Sequence, residues 1–211
     1  MSAQSSNRSD PSDTRSALLD AAKKVFAEKG FDGATVKELA DTAGVNISLV
    51  SYHFQGKEGL YRSVLENFGM DGLRMVERIL IAPTSKEDFK VRLQLFVEEF
   101  FDFHIRDADL AMLVHREMEM GFTHAKEIFH SVFMRTFELL VQFIASGQDA
   151  GFLRKELHAQ LTASFIFGAL KSICMSEKAR QEVCAPSLLK PEDRKLFVQQ
   201  CLDIISRGVL A

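Results

Sequence analysis

Residues 35–57 read TVKELADTAGVNISLVSYHFQGK, and the fold is decided within them. Thr35 followed three residues later by Glu38 is a capping box: the hydroxyl accepts from the Glu38 amide while the carboxylate reaches back to the Thr35 amide. A helix therefore starts at Val36. Gly44 supplies the left-handed residue that ends it without steric penalty, and Asn46 is a good N-cap for a second short helix. Two short helices joined by a glycine turn make a helix-turn-helix. In that unit Val36, Leu39, Ala40, Val45, Val50 and Phe54 face inward, with Ala40 small enough for a close helix crossing. Ile47, Ser48, Ser51 and Tyr52 face outward, where such a motif meets a DNA major groove.

Upstream, residues 1–12 are polar, carry Pro11 and show no periodicity, which predicts a disordered arm. From Asp13 the apolar positions Ala17, Leu18, Ala21, Ala22, Val25 and Phe26 recur at helical spacing up to Gly30. Phe31, just past that glycine, is expected to plug a three-helix core. Downstream, Gly56, Lys57 and Glu58 open a longer helix whose apolar residues run from Leu60 to Leu80, before Pro83. Ser85 with Asp88 is a second capping-box-like start. Further helices are expected over 110–120, from Thr123 to near Gly151, over 158–180, and over 191–207 with Pro191 in the first turn. No alternating strand pattern or internal repeat is present. The prediction is an all-α chain of about nine helices: an arm at 1–12, a helix-turn-helix head at 13–60, and a ligand-binding and dimerising body at 61–211.

The run AGVNISLVSYHFQGKEGLY, residues 43–61, resembles the DNA-binding signature of the TetR/AcrR family of bacterial one-component repressors. The pattern runs from the turn glycine through an aromatic-His-Phe triplet to Lys-Glu-x-Leu, here Gly44, Val45, Tyr52, His53, Phe54, Lys57, Glu58 and Leu60. The signature lies in the first third of the chain. The resemblance implies a helical homodimer that binds a palindromic operator through its N-terminal domain and an effector through its C-terminal one. Where relatives often carry Lys-Gly-Thr and a tyrosine in the recognition helix, this chain has Ile47, Ser48, Leu49 and Ser51. Those departures bear on operator sequence, not on membership.

Charge adds little to DNA affinity. Residues 1–62 hold eight basic and eight acidic side chains, so the net −3 lies downstream and binding rests on a few placed donors. Tyr52, His53 and Lys57 can donate to successive phosphates, the alternative for the first two being packing on the flank of the head. Ser48 and Ser51 can meet base edges, and Ile47 or Leu49 a thymine methyl. Asn46 serves first as a cap, second as a base contact; Thr35 and Lys37 complete the DNA-facing set. With no Arg or Gln pointing outward mid-helix, sequence preference leans on apolar contact and DNA shape.

The body holds most of the 18 Phe and eight Met. Phe100, Phe103, His104, Met112, His115, Met118, Met120, Phe122, Phe133 and Phe137 fall on three consecutive helices. At helical spacing such residues make plain core. The family resemblance adds the second interpretation, an adaptable apolar effector pocket with His104 and His115 as polar anchors and an apolar or aromatic effector. Leu161, Phe165, Phe167, Gly168, Ala169, Leu170 and Ile173, with Phe197, Val198, Leu202 and Ile205, exceed what one body needs and predict a two-fold four-helix interface.

Other chemistry lacks support. Glu127 and His130 match half of a di-iron helix motif that has no second copy, and no nucleophile elbow, zinc motif or phosphate loop is present. No enzyme activity, metal or cofactor is expected. Cys174, Cys184 and Cys201 are odd in number and without C-x-x-C spacing, which argues against a disulfide framework; they are incidental thiols or redox sensors. The N-terminus lacks the apolar core of a secretory signal. No apolar run is expected to span a membrane, Leu161–Met175 being the longest candidate, so a cytoplasmic location is expected. Two other functions stay open: a DNA-binding protein controlled by a protein partner or by no effector, and a helical interaction module.

Overall fold

The computed structural model describes residues 11–210. Among them the regular elements are all helical, and Leu153 and Leu210 form an isolated antiparallel bridge. The order is α1 (Pro11–Gly33), α2 (Val36–Ala43), α3 (Ser48–Phe54), α4 (Lys57–Ile79), α5 (Lys86–Arg106) and α6 (Ala108–Glu119). There follow α7 (Lys126–Ile128), a π-helical turn (Phe129–Phe133), α8 (Met134–Asp149), α9 (Ala159–Met175), α10 (Glu177–Glu182) and α11 (Pro191–Val209). Pro11 and Ser12 already belong to α1; the rest of the expected arm lies outside the described residues.

Local signals account for the helix ends. At Gly30 (φ 71°, ψ −176°) α1 leaves helical geometry, and a last turn carries it to Gly33. Thr35 Oγ1 accepts from the Glu38 N–H at 3.2 Å, as the capping box requires. Its second half is not formed. The Glu38 carboxylate instead takes the Lys29 ammonium, because a charged donor outcompetes a neutral amide. Gly44 sits at φ 68°, ψ 29°, and the Val45 N–H returns to the Ala40 carbonyl at 3.0 Å, the closure that a left-handed residue permits. At α5, Ser85 Oγ accepts from the Asp88 N–H at 3.0 Å while Asp88 bonds the Thr84 N–H at 2.9 Å. The shorter aspartate thus reaches one residue further out.

Two expected helices are corrected. Thr123 opens no helix: its hydroxyl donates to the Met120 carbonyl at 2.9 Å, closing the end of α6, and the next helix starts at Lys126. The stretch 158–180 is broken at Ser176, where ψ is 5°. Glu177 is responsible, since its carboxylate accepts from the Ser187 hydroxyl, the Leu188 N–H and Arg180 and so ties the next turn to the following loop.

The chain divides into two compact units. The first holds the chain up to Phe68 with Asp109–Ile128; the second holds Gly69–Ala108 and Phe129–Ala211. In the first, α1 packs on α2 and α3 over Leu18, Ala22, Phe26, Leu39, Val50 and Phe54, all buried. In the second, α5, α8, α9 and α11 surround Phe89, Leu93, Phe96, Phe101, Leu140, Phe143, Ile166 and Leu170. Each such side chain contributes about 1.5–3 kcal/mol by leaving water. Phe89 and Phe143 stack at 4.8 Å. Lys126–Asp149 is long and apolar enough to cross a membrane by length and composition, unlike the candidate taken from sequence. Its Leu140, Phe143 and Ile144 are buried in this core.

Candidate nucleic-acid interface and body site

The outward face of α3 follows from its two ends. Asn46 Oδ1 accepts from the Ser48 N–H at 2.9 Å and the Ser48 hydroxyl at 2.8 Å, so Asn46 caps the helix and its side-chain oxygen is engaged in those two bonds. Ser48 Oγ is engaged in the same contact. At the other end Gln55 (φ 62°) closes the last turn onto the Ser51 carbonyl at 3.0 Å. Val50 and Phe54 are thereby buried, while Ile47, Ser48, Ser51 and Tyr52 face solvent and Leu49 is half-buried. Tyr52 is 77 % exposed, with the His53 ring edge-on at 4.9 Å. An exposed phenol on this seven-residue helix and an exposed isoleucine at the position just before it suit contact with a partner surface. Thr35 and Lys37 are exposed at the start of α2. Arg15, which the sequence did not single out, lies over the Phe54 ring at 5.0 Å.

Lys57 is turned inward. Its ammonium donates to the carbonyls of Phe31 (2.9 Å) and Ala34 (3.0 Å) and sits 4.3 Å from the centre of the Phe31 ring. It therefore braces the link between α1 and α2, and direct donation to a phosphate would cost those bonds. Phe31 is half-buried rather than a full plug, stacked between Lys57 and the neighbouring rings of Phe26 (6.4 Å), Tyr61 (5.0 Å) and His124 (4.2 Å).

The expected effector residues divide between the units. Phe100, Phe103, His104, Phe133 and Phe137 belong to the second; Met112, His115, Met118 and Phe122 belong to the first. In the second unit Phe100 stacks on His104 at 4.0 Å and meets Phe167 edge-on at 5.6 Å. Burial pushes the His104 imidazole down to about 4, against the hydrogen bond from its Nδ1 to the Phe100 carbonyl at 2.8 Å. It is therefore neutral at pH 7 and presents an apolar, stackable face. In the first unit Phe122 is buried at φ 55°, Met112 is half-buried and Met118 exposed. His115 Nε2 lies 3.3 Å from Glu119, and its Nδ1 is buried without a hydrogen-bond partner. A separate groove of about 500 Å³ is lined by Lys90, Gln199, Leu202, Asp203, Ser206, Arg207 and Leu210, and by none of the expected effector residues.

The interface candidates also divide. Leu161 (60 % exposed), Phe165 (79 %), Gly168 and Ala169 face solvent on α9, whereas Leu170 is fully buried in its own core and cannot reach a partner. Phe167 packs on Phe100 and Phe137, Phe197 lies 6.5 Å from Phe101, and Leu202 and Ile205 are half-buried against the same core. Leu196 and Ile204 on α11 are exposed and were missed. For Leu196 the signal was present: Leu196, Phe197 and Val198 are consecutive, and no helix buries three consecutive residues on one face. Cys174 is buried, its thiol pushed up to about 12, and Cys201 is raised by burial too; neither is an activated thiol.

A helix-turn-helix with an exposed second helix, joined to a helical body rich in buried phenylalanine, defines a DNA-binding regulator. Residues 18–64 match the bacterial regulatory proteins, tetR family, and residues 70–179, just over half the chain, match the YsiA-like protein, C-terminal region. The chain belongs to the tetR family of transcriptional regulators. It is 26 % identical over 132 residues to the probable HTH-type transcriptional regulator YttP of Bacillus subtilis, spanning 61 % of this chain and 63 % of that one. It is 26 % identical over 154 residues to the fatty acid metabolism regulator protein of the same organism, spanning 72 % and 77 %. The fold is shared with the transcriptional regulator FadR from Bacillus subtilis in complex with stearoyl-CoA, at TM-score 0.72 and 18 % identity over 90 % of this chain and 96 % of that one.

Proposed function

We propose that the chain is a cytoplasmic homodimeric repressor that binds a palindromic operator through α3 and is released by an apolar effector. The observation that carries the DNA reading is the exposed face of Ile47, Ser48, Ser51 and Tyr52 on a helix otherwise buried through Val50 and Phe54. On that face Tyr52 and His53 donate to phosphates, and Ile47, Ser48, Leu49 and Ser51 meet base edges. Two copies join through the exposed apolar residues of α9 and α11, Leu161, Phe165, Leu196 and Ile204, leaving half-sites about one helical turn apart or a small multiple.

Effector binding belongs to the second unit, at the aromatic group of Phe100, Phe103, His104, Phe133 and Phe137. A neutral, stacked histidine among phenylalanines favours an apolar or aromatic ligand over a sugar, nucleotide or metal ion. The stearoyl-CoA bound to the FadR relative supports long-chain acyl thioesters as the first probes, with the acyl chain, not the nucleotide portion, as the part that the aromatic group would hold. Sequencing genomic fragments recovered by the protein yields the operator. Titrating that duplex with and without acyl-CoA is expected to show a loss of affinity of roughly 5- to 150-fold, with the reciprocal loss in effector affinity. Stabilisation by no apolar ligand in a thermal-shift screen would instead favour control by a protein partner.

A further inference from the structure

Glu117 occupies the buried stripe of α6. Its neighbours at that spacing are Leu110, Leu113 and Val114, and it is 3 % exposed. A carboxylate there costs several kcal/mol in desolvation unless donors reach it. Two do so: the Tyr61 hydroxyl at 2.7 Å and His124 Nδ1 at 3.1 Å, both on Oε1, while Oε2 is buried without a partner. The contact is thus one deep and easily unbalanced, since loss of either donor leaves a buried charge on a single bond.

Both donors lead to the helix-turn-helix. Tyr61 is one turn past Lys57 on α4, with its ring 4.8 Å from Phe26 of α1. The His124 ring lies 4.2 Å from Phe31, whose carbonyl and ring hold the Lys57 ammonium. A path of direct contacts therefore runs from Glu117 to the link that sets α2 against α1. Each step lies within the first compact unit. Apolar side chains would fill the position without demanding a direction. A carboxylate bonded to a phenol and an imidazole fixes both rings, and with them the start of α4 and the end of α1.

We infer that Glu117 is a positioning residue for operator binding: through Tyr61 and His124 it holds the helix-turn-helix in its DNA-competent arrangement. This rests on the DNA-binding reading above. The test uses full-length protein and a duplex recovered from genomic DNA by the wild type. Tyr61→Phe, Glu117→Gln and the double variant are compared for melting temperature, operator affinity and affinity for a scrambled duplex. Glu119→Gln, the same charge change on the same helix, is the control.

Each single variant is expected to lose roughly tenfold in operator affinity while still folded. The double variant should lose no more than the worse single one, and scrambled DNA should be bound as before. Glu119→Gln should bind like wild type. Operator affinity within twofold of wild type for folded Tyr61→Phe and Glu117→Gln overturns the inference, as does a loss that tracks only the unfolded fraction. If Tyr61→Phe does not fold, the near-isosteric Glu117→Gln decides alone. Recovery of no specific duplex by the wild type would instead overturn the DNA-binding reading.

Discussion

The Lys57 ammonium donates to the Phe31 carbonyl at 2.9 Å while lying 4.3 Å above the ring of the same residue. One side chain from α4 thus holds both the backbone and the ring of a residue in the last turn of α1. The Ala34 carbonyl, next to the N-cap of α2, accepts a second hydrogen bond from it. Lys57→Met keeps the aliphatic stem and removes all three contacts. Urea denaturation is expected to show a loss of about 1–3 kcal/mol, and operator binding should weaken for every sequence alike. Unchanged stability would mean that the ammonium spends its time in solvent.

The face of α3 should divide by role. Tyr52→Phe and His53→Ala remove donors to phosphate, so each should weaken specific and scrambled DNA by the same factor. Neither side chain is a lysine or arginine, so both variants should leave the salt slope as it was. Ile47→Ala and Leu49→Ala should instead change the preferred base, each by about 1–3 kcal/mol at one position. Competition binding against a set of single-base variants separates the two. A uniform effect of Ile47→Ala would remove it from base contact.

Assembly should depend on Phe165. At 79 % exposure on α9, beside Gly168 and Ala169, it offers a ring with no intramolecular reason to face water. Phe165→Glu is expected to give a folded monomer by sedimentation at micromolar concentration, with operator affinity reduced. Leu170→Glu, in contrast, should fail to fold, since that side chain is fully buried in its own core.

A side chain at Gly69 of α4 should be destabilising. A Cβ there would stand 2.9 Å from Val132 Cγ1 and 3.1 Å from the Phe133 ring, both in the π-helical turn. Gly69→Ala is expected to cost about 1–3 kcal/mol by chemical denaturation, because that contact is already filled. Gly168, whose Cβ would meet nothing within 4 Å, should accept alanine with no loss of protomer stability.

Stability should fall with acid in two windows. Burial holds His104 down to about 4, below the unfolded value near 6.5. The unfolded chain therefore binds the proton first, and stability is lost as pH falls from about 6.5 towards 4. Glu177 is pushed up by burial, yet the Ser187 hydroxyl, Gln181, the Leu188 N–H and Arg180 together bring it down to about 2. Its contribution is present above the unfolded carboxylate range and disappears from about pH 4.5 towards 2. His104→Phe should flatten the upper window and leave the lower one, which melting curves between pH 7 and 3 would resolve.

Local signals in the sequence determined where most helices begin and end. Thr35, Gly44 and Ser85 each act on backbone groups within a few residues, so their effect needs no knowledge of the rest of the chain. The same holds for the alternation of buried Val50 and Phe54 with exposed Ser51 and Tyr52, which a helical period alone imposes. What tertiary structure decided was where polar and charged ends go. Lys57 reaches carbonyls 26 and 23 residues away, Glu117 meets Tyr61 across 56 residues, and Glu177 breaks a helix by binding a loop ten residues on. Periodicity likewise could not separate Leu170, inside, from Phe165, outside, on a helix apolar on most sides; only the elements packed against one face could choose. Backbone preferences are set by neighbours along the chain, whereas desolvation and the pairing of charges depend on groups that only the folded chain brings together.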